Sequence, residues 1–338
     1  MKSTLAVDAM GGDHGPGTLV PATIEFLIKN PEASVILTGD LDIITSHLTP
    51  ESKGLEDRYT IVHCDQLVEM DEAPTRAMRN KKNSSMRVAL DLVKSGDAQA
   101  CISAGNTGAL MAMARFVLKM LPGVDRPAIV QELPSMRGST VMLDLGANSE
   151  CRPEHLVQFA VMGSVLAEAS GIKSPTVALL NIGSEEVKGN DLVRQAAEEL
   201  RLSGINYYGY VEGNDIYEGT VDVVVCDGFV GNVALKTSEG IARMISQVMR
   251  EEFTHGLGSK MAALAATPVL NRIRARIDHR RYNGASLLGL RGTVIKSHGS
   301  ADQVAFGYAL QAGLQESSRG VPEQIGEQVL ALLEEHVE

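Results

Sequence analysis

The sequence predicts a three-layer α/β/α protein built on a mainly parallel β-sheet. Short runs rich in β-branched residues alternate with segments of helical periodicity along the 338 residues, and this alternation is typical of βαβ units whose sheet is covered on both faces. A chain of this length can bury a sizeable core, and its 44% hydrophobic residues are ordinary for a globular protein. No repeat or low-complexity stretch interrupts the pattern, so we expect one unit over residues 1–338.

The predicted elements follow one another closely. Strands are expected at 3–8, 33–39, 59–64, 98–103, 128–132, 139–145, 176–182, 205–211, 221–226 and 293–297. Helices are expected at 17–29, 84–95, 106–120, 153–170, 189–202, 300–316 and 321–336. Ser84 is a suitable N-cap, and Pro153 suits a first helical turn.

One segment departs from this alternation. From Ile241 to about Tyr282 the pattern is helical twice, with two glycines between the helices, and it predicts a protruding helical hairpin at 241–282. The second helix combines an apolar stretch with a run of arginines. Its notable residues are Met261, Leu264, Leu270, Arg272, Arg274, Arg276, Arg280 and Arg281. Such a hairpin packs on the protein body or a second subunit, or it touches a membrane surface or an acidic partner.

Composition excludes several classes of function. The formal net charge is −11, there is no Trp, and aromatic residues make up 4% of the chain, so nucleic-acid binding is disfavoured. The four cysteines are far apart and predict buried, reduced thiols rather than disulfides or a metal site. No signal-peptide pattern and no apolar run of the ~18 residues needed to cross a bilayer is present. We therefore expect a cytoplasmic location.

Loops rich in Gly, Asn and Asp follow most of the predicted strands, where open α/β sheets bind ligands. They are residues 8–17, 103–109, 144–149, 181–190, 225–236, and 283–290 with 296–299. Their glycines let the backbone turn and present N–H groups, and helix N-termini add partial positive charge. Each loop alone is weak evidence, although a plain turn does not need the two acids and the histidine of the first loop, and an N-cap would use only one polar group of the second. Together they predict one cleft, lined by donors, lysines, histidines and acids, that suits a small oxyanion.

Missing motifs narrow this interpretation. The sequence has no G-x-x-x-x-G-K-[ST] loop, and no G-x-G-x-x-G follows the first strand, so the nucleotide fingerprints are absent. It also has no H-E-x-x-H and no G-x-S-x-G. Anion chemistry without a nucleotide remains, and a covalent Ser or Cys mechanism has no positive support.

The loop sequences resemble a known family. The runs DAMGGDHGP, SAGNTGAL, LDLGAN, LLNIGSEEVKGN, VEGNDIYEG, CDGFVGNVALK, NGASLLGL and KSHGSAD occur in this order. They are similar to those of the phosphate acyltransferases of bacterial phospholipid synthesis, the PlsX family, over about positions 3 to 335. We find no departure from the family pattern at these motifs.

This resemblance implies a function and a setting. The family makes acyl phosphate, reversibly, from acyl–acyl carrier protein and inorganic phosphate, and a membrane glycerol-3-phosphate acyltransferase then uses the product. The implied fold is that of isocitrate and isopropylmalate dehydrogenases and of phosphotransacetylase. The resemblance also implies a homodimer in peripheral contact with the membrane, and a hairpin that corresponds to the family's helical projection. No metal and no cofactor is expected.

Residue roles follow as hypotheses. Phosphate is already a nucleophile, so the enzyme must hold it near the thioester carbonyl and stabilise the oxyanion that forms. The hypothesised phosphate ligands are Gly105, Asn106, Thr107, Gly108, Asn148 and Lys188. Asn232 and the Gly231 N–H are expected to polarise the carbonyl, with Lys188 making the largest single contribution.

Further residues have supporting hypotheses. His14 and His298 are candidates to protonate the leaving thiolate or to orient phosphate, and structural hydrogen bonding explains them equally well. Asp8, Asp13 and Asp227 are expected to orient lysine or histidine. In the hairpin, the Met261–Leu270 stretch is expected to meet lipid or the acyl chain, and the arginine cluster that follows is expected to meet anionic headgroups or the carrier protein.

Three alternatives remain open at the level of sequence. A phosphotransacetylase acting on a small acyl-coenzyme A would use similar loops. An NAD- and metal-dependent decarboxylating dehydrogenase of similar fold should add a carboxylate cluster with substrate arginines, which these loops lack. A non-catalytic anion sensor or scaffold that recruits lipid enzymes would need fewer polar loops.

Overall fold

A computed structural model describes residues 3–335 of the chain. Its centre is an 11-stranded sheet in the order β3-β2-β1-β4-β11-β10-β5-β6-β9-β7-β8. The strands are β1 Ser3–Asp8, β2 Ala33–Gly39, β3 Tyr59–His63, β4 Ala100–Ser103, β5 Ala128–Ser135, β6 Gly138–Leu143, β7 Val177–Leu180, β8 Tyr207–Val211, β9 Val223–Val225, β10 Ala285–Leu288 and β11 Thr293–Lys296.

The helices connect these strands and cover the sheet. They are α1 Pro16–Lys29, α2 Leu41–Ser46, α3 Pro74–Asn80, α4 Ser85–Ser95, α5 Thr107–Leu118, α6 Pro153–Ala169, α7 Asp191–Leu202, α8 Asp215–Glu218, α9 Gly228–Thr254, α10 Leu257–Ile277, α11 Gln303–Arg319 and α12 Val321–Glu335. Short 3-10 turns occupy Pro50–Ser52 and His279–Tyr282.

Strand direction divides the sheet into two halves. β1, β2, β3, β4 and β11 are mutually parallel, and β6, β9, β7 and β8 are mutually parallel. Three antiparallel pairings through β10 and β5 join the halves, so β6 and its neighbours run opposite to β11 and its neighbours. The carboxyl ends of the two parallel sets therefore lie at opposite edges of the sheet.

Alternating side chains place a hydrophobic core on each face of the sheet. On β1, Leu5 and Val7 pack with residues of α1 and α11, whereas Ala6 packs with α4 and α5 on the other face. On β6, Leu143 packs with α6, and Met142 faces the opposite cluster, against which Leu235 of α9 packs. Full burial of one such Leu contributes roughly 1.5–3 kcal/mol. The predicted three-layer, mainly parallel architecture is confirmed.

Two segments have a structure other than the one that the sequence predicted for them, and the short helices α2, α3 and α8 were not among the predicted helices. Ala285–Leu288, predicted as a loop, forms strand β10 between Gly284 and Gly289. Helix α9 begins at Gly228 rather than at Ile241 and runs for 27 residues, about 40 Å at 1.5 Å per residue. The hairpin of α9 and α10 therefore grows directly out of the loop that follows β9.

Candidate functional site

Three loops meet at the carboxyl ends of the adjacent strands β1, β4 and β11, and we call them the first loop cluster (residues 8–17, 103–109 and 296–299). The Asp13 N–H donates to the Gly299 carbonyl at 2.8 Å. A Cβ on Gly11 would lie 2.7 Å from the Gly105 nitrogen, so glycine is required for this close approach. The first, second and sixth predicted loops are thus brought together.

The buried carboxylate of Asp8 organises this cluster. Asp8 is 1% exposed at the end of β1, and its two oxygens accept hydrogen bonds of 2.6 Å from the hydroxyls of Ser85 and Ser103. Burial raises the pKa of Asp8, and these hydrogen bonds and the nearby Lys296 partly oppose the increase. The carboxylate therefore holds β4, α4 and the first loop in one arrangement.

Lys296 places a buried ammonium group behind the same loops. It is 9% exposed, and its Nζ donates to the Ala104 carbonyl at 3.4 Å and to the Ser297 carbonyl. Burial lowers the pKa of Lys296 to about 8, although Asp8 and Asp13 favour its charged form. The sequence predicts no individual role for this lysine. Its place as the first residue of KSHG, at a strand end, was the only signal in the sequence.

The loop after β4 offers fewer free donors than the sequence suggested. The Asn106 Oδ1 accepts from the Ala109 N–H at 3.0 Å, and its Nδ2 donates to the carbonyls of Met70 at 2.8 Å and Glu72 at 3.0 Å. The Gly105 N–H donates to Ser103 Oγ at 3.0 Å. Asn106 is therefore the N-cap of α5 and the anchor of the preceding loop, and a direct role of Asn106 and Gly105 as phosphate ligands is not supported.

The first turn of α5 remains a suitable place for an anion. The N–H groups of Thr107 and Gly108 are at the first two helical positions, where the helix offers no acceptor. The Asn106 cap accepts only from the next N–H group, that of Ala109. Thr107 is exposed, and its hydroxyl group lies in the same turn. Of the four residues predicted in this loop, Thr107 and Gly108 keep a role as candidate ligands.

A second loop cluster (residues 144–149 and 226–232) lies where the neighbouring strands β6 and β9 end. Asp144 is fully buried and accepts hydrogen bonds of 2.8–3.1 Å from four backbone N–H groups, including that of Asn148. Burial raises the pKa of Asp144, while these hydrogen bonds oppose the increase. Asp144 thus fixes the shape of its loop.

Asn148 belongs to this internal network. It is 6% exposed, and its Nδ2 donates to Asp144 Oδ2 at 2.9 Å and to the Pro127 carbonyl at 2.7 Å. Both amide hydrogens are therefore used within the protein. The expectation that Asn148 binds phosphate is not supported, because its amide supports the loop instead.

Helix α9 begins in the second loop cluster. The Asp227 carboxylate caps the N–H groups of Phe229 and Val230 at 2.9 and 3.0 Å. The Gly231 N–H donates to the Asp227 carbonyl inside the helix at 2.9 Å, so a role of this N–H in polarising a substrate carbonyl is not supported. A Cβ on Gly231 would lie 1.9 Å from the Asp144 carbonyl oxygen. Glycine is present at this position because the helix packs directly on the loop.

Asn232 and Lys188 are two predicted residues whose side chains have no partner in the described part of the chain. Asn232 is exposed next to Gly146. Lys188 is exposed in the loop after β7, which pairs with β9 and ends at the same edge as the second loop cluster. Within residues 3–335, neither side chain has a hydrogen bond or an ion pair. Their roles in substrate binding therefore stay predictions.

Helix α9 also reaches the first loop cluster. The Lys236 Nζ lies 3.0 Å from both carboxylate oxygens of Glu239, and Glu239 Oε1 lies 3.2 Å from His298 Nε2. Burial lowers the pKa of His298, aided by Lys236 and opposed by Glu239. His14 and Asp13 are exposed in the neighbouring loop.

The loops were predicted to line one cleft, but they form two separate clusters. The loops after β1, β4 and β11 meet at one edge, whereas those after β6, β9 and β7 lie at the other, because the two halves of the sheet run in opposite directions. Asn232, Lys236 and Glu239 on the first three turns of α9 connect the groups. The face of α9 is therefore the shared wall of the candidate site.

Comparison with known proteins gives this arrangement a class. The chain matches the family described as fatty acid synthesis protein over residues 3–324. It is 56% identical to a phosphate acyltransferase of Halorhodospira halophila, covering 98% of this chain and 97% of that one, and 56% identical to one of Methylococcus capsulatus, covering 97% of each.

Solved structures show the same fold at low sequence identity. A phosphotransacetylase from Streptococcus pyogenes is similar with a TM-score of 0.65, 16% identity and coverage of 94% of each chain. A 4-hydroxythreonine-4-phosphate dehydrogenase from Klebsiella pneumoniae is similar with a TM-score of 0.52 and 12% identity, covering 94% of this chain and 98% of that one. The relatives at high identity define the protein as an acyltransferase. The chain belongs to the fatty acid synthesis protein family, as the order of its loop motifs predicted.

Proposed function

We propose that the protein transfers a fatty acyl group from acyl–acyl carrier protein to inorganic phosphate, reversibly, and so supplies acyl phosphate for phospholipid synthesis. The observation that carries this proposal is the 56% identity to phosphate acyltransferases over nearly the whole chain. The product is a mixed anhydride, and a membrane glycerol-3-phosphate acyltransferase is the class of enzyme that would consume it.

In the proposed reaction a phosphate oxygen attacks the thioester carbonyl carbon, the C–S bond breaks, and the thiolate leaves with the carrier. The cysteines of the chain are poor alternatives as nucleophiles. Burial raises the pKa of Cys64 and of Cys151 to about 11, and it raises the pKa of Cys101 and Cys226 well above the usual range for a thiol. Direct attack by phosphate needs no such group.

Two sets of donors serve this step. The N–H groups of Thr107 and Gly108 would hold phosphate at the start of α5, and the Lys296 ammonium behind the loop would supply positive charge. The side chains of Asn232 and Lys188 would donate to the oxygen that becomes negatively charged. His298, which contacts Glu239, would orient phosphate or relay a proton to the leaving thiolate.

The direct test is incubation of the full chain with acyl–acyl carrier protein and labelled phosphate. Formation of a labelled, hydroxylamine-sensitive acyl phosphate with release of thiol supports the proposal. Acetyl-coenzyme A in a parallel reaction separates it from phosphotransacetylase activity. Turnover of acetyl-coenzyme A alone, or no phosphate-dependent release of thiol from either donor, would overturn the proposal.

We also propose that the hairpin contacts an anionic surface. Met261 and Leu264 are 71% and 77% exposed on α10, Leu270 is half-buried, and Arg272 is exposed on the following turn. The side chains of Arg274 and Arg276 lie outside the described residues. Within residues 3–335 no helix is long and apolar enough to cross a bilayer. Peripheral contact through apolar side chains flanked by arginine is consistent with this surface.

Replacing Arg272 with Glu should weaken binding to anionic vesicles. A basic residue near an anionic surface contributes about 1 kcal/mol, so charge reversal should reduce the partition coefficient roughly fivefold or more. Flotation with phosphatidylglycerol vesicles measures this change, and phosphatidylcholine vesicles are the control. Equal recovery of wild-type and R272E protein on both vesicles would contradict a lipid-facing role.

A homodimer through α9 is the third proposal. Ile241, Met244, Ile245 and Val248 are 47–58% exposed and repeat at helical spacing, so they form one apolar stripe on a helix whose only buried residues are Gly228 and Gly231. Ile245→Glu should shift the protein toward monomer in sedimentation velocity, whereas Ser246→Glu, on an exposed neighbour, should not. A monomeric wild-type chain would contradict the proposal.

A further inference from the structure

Three neighbouring helices carry a cluster of cations on an otherwise acidic protein. α3 and α4 both pack on α5, and we call their outer surface, with the residues that connect them, the α3–α5 face. Residues 74–119 contain eight Lys or Arg and two Asp, whereas the whole chain has a net charge of −11. The cations are Arg76, Arg79, Lys81, Lys82, Arg87, Lys94, Arg115 and Lys119.

Most of this charge is not neutralised locally. The ion pairs in this region are Arg87–Asp91 at 3.0 Å and a long Arg76–Glu72 contact at 3.9 Å. Arg79, Lys82, Arg115 and Lys119 are exposed, and no carboxylate of the described chain lies within 4.0 Å of them. The face therefore presents a positive potential to solvent.

An exposed aromatic ring stands in this surface. Phe116 is 51% exposed on α5. The Arg87 Cζ lies 5.5 Å and the Lys119 Nζ 4.8 Å from its ring centroid. Aromatic residues and arginine are enriched in protein–protein interfaces, and here Phe116 and Arg87 lie side by side. The two cations also fix the ring at the surface.

The α3–α5 face borders the proposed phosphate site. α5 begins at Thr107, and Phe116 lies nine residues further on, about 14 Å along the helix. α3 begins at Pro74, whose Cγ would lie 2.8 Å from a Cβ on Gly108, and the Asn106 amide holds the segment before α3. A molecule bound to this face is therefore near the loop where acyl transfer would occur.

We propose that the α3–α5 face docks the acidic carrier protein that presents the acyl thioester, with Phe116 as its apolar anchor. This inference rests on the proposed function, because it names the surface that recognises the donor. A compact acidic protein can bind this face without contacting the rest of the surface. A long nucleic acid would also contact the rest of the molecule, whose net negative charge repels phosphate groups. Complementary charges on the two proteins mainly increase the rate at which they associate.

The test compares two acyl donors that differ only in the carrier. Charge-reversed R79E/K82E and R115E/K119E variants are assayed with acyl–acyl carrier protein and with the same acyl chain on free pantetheine. We expect KM for the carrier-bound donor to rise about tenfold or more, and wild-type KM to increase with salt. The turnover and KM measured with acyl-pantetheine, and KM for phosphate, should stay within twofold of wild type.

Matched controls separate the possible outcomes. K53E/K173E reverses two exposed lysines elsewhere and should leave both donors unaffected. F116A, which keeps the net charge, should also raise KM for the carrier, and it serves if a reversal variant fails to fold. The docking proposal would be overturned if KM for the carrier-bound donor is unchanged, or if activity falls equally with both donors. It would also be overturned if the variants lose binding to DNA or to vesicles instead of binding to the carrier. An inactive wild-type enzyme would instead refute the proposed function.

Discussion

Replacing Lys188 with Ala should reduce acyl phosphate formation by about 100- to 1,000-fold, the usual loss when one donor to a developing oxyanion is removed. The Lys188 side chain is exposed between Gly183 and Gly189 and has no partner within the described residues. A cation without a structural bond is available to a ligand, and its loss should leave the free energy of unfolding almost unchanged.

Steady-state rates with saturating phosphate and acyl–acyl carrier protein would measure this loss. Val187→Ala is a suitable control, because Val187 is 82% exposed in the same loop and has no charge. Near-normal turnover in K188A, with the melting temperature of the wild type, would remove Lys188 from the mechanism. A large loss in V187A as well would indicate that loop shape, rather than charge, is responsible.

The second large effect is expected at Lys296. Lys296→Met keeps the length of the side chain and removes its charge, and a hydrogen bond to a charged group contributes about 1.5–3 kcal/mol. KM for phosphate should therefore rise roughly 10- to 100-fold. Lys53→Met, on an exposed lysine, is the control and should not change KM. An unchanged phosphate KM in K296M would show that the buried ammonium has only a structural role.

The pH dependence of the wild type gives an independent measure. Burial lowers the pKa of Lys296 to about 8, so its charge is present below pH 8 and is lost above it. KM for phosphate should therefore increase above pH 8 in the wild type and remain flat there in K296M. Between pH 8 and about 10.4, the usual pKa of lysine, the unfolded chain binds more protons at this group than the native protein does. The contribution of Lys296 to stability consequently rises with pH in that window.

Local patterns in the sequence predicted much of the fold. Short continuous apolar runs located all strands except β10, because a strand that is buried on both faces is apolar along its length. Ala285–Leu288 was missed because the strand has four residues and glycine on either side, a pattern that also fits a turn. The reversed direction of the second half depends on pairing through β5 and β10, which no local window contains.

The candidate site was predicted in part for the same reason. Strand-end loops rich in Gly and Asn were located correctly, but residue type alone could not separate ligands from supports. Asn106 donates to a backbone carbonyl 36 positions away in the sequence, and Asn148 donates to one 21 positions away. The sequence also suggested a loop around Gly228 and Gly231, yet these glycines allow α9 to start against the Asp144 loop. Asp8 and Ser85, 77 residues apart, share a hydrogen bond that only the folded chain reveals.

The continuity of α9 has a mechanical consequence. One uninterrupted helix carries Asn232, Lys236 and Glu239 near its first residue, the apolar stripe in its middle, and the turn into α10 at its far end. If the helix pivots at Gly231, where it rests on the Asp144 loop, Thr254 moves between four and five times as far as Lys236, since the two lever arms are about 35 and 8 Å. A second subunit or a lipid surface that holds the far end of α9 would therefore restrict the rotation of the whole helix. It would thereby reduce the movement of Lys236 and Glu239 relative to His298.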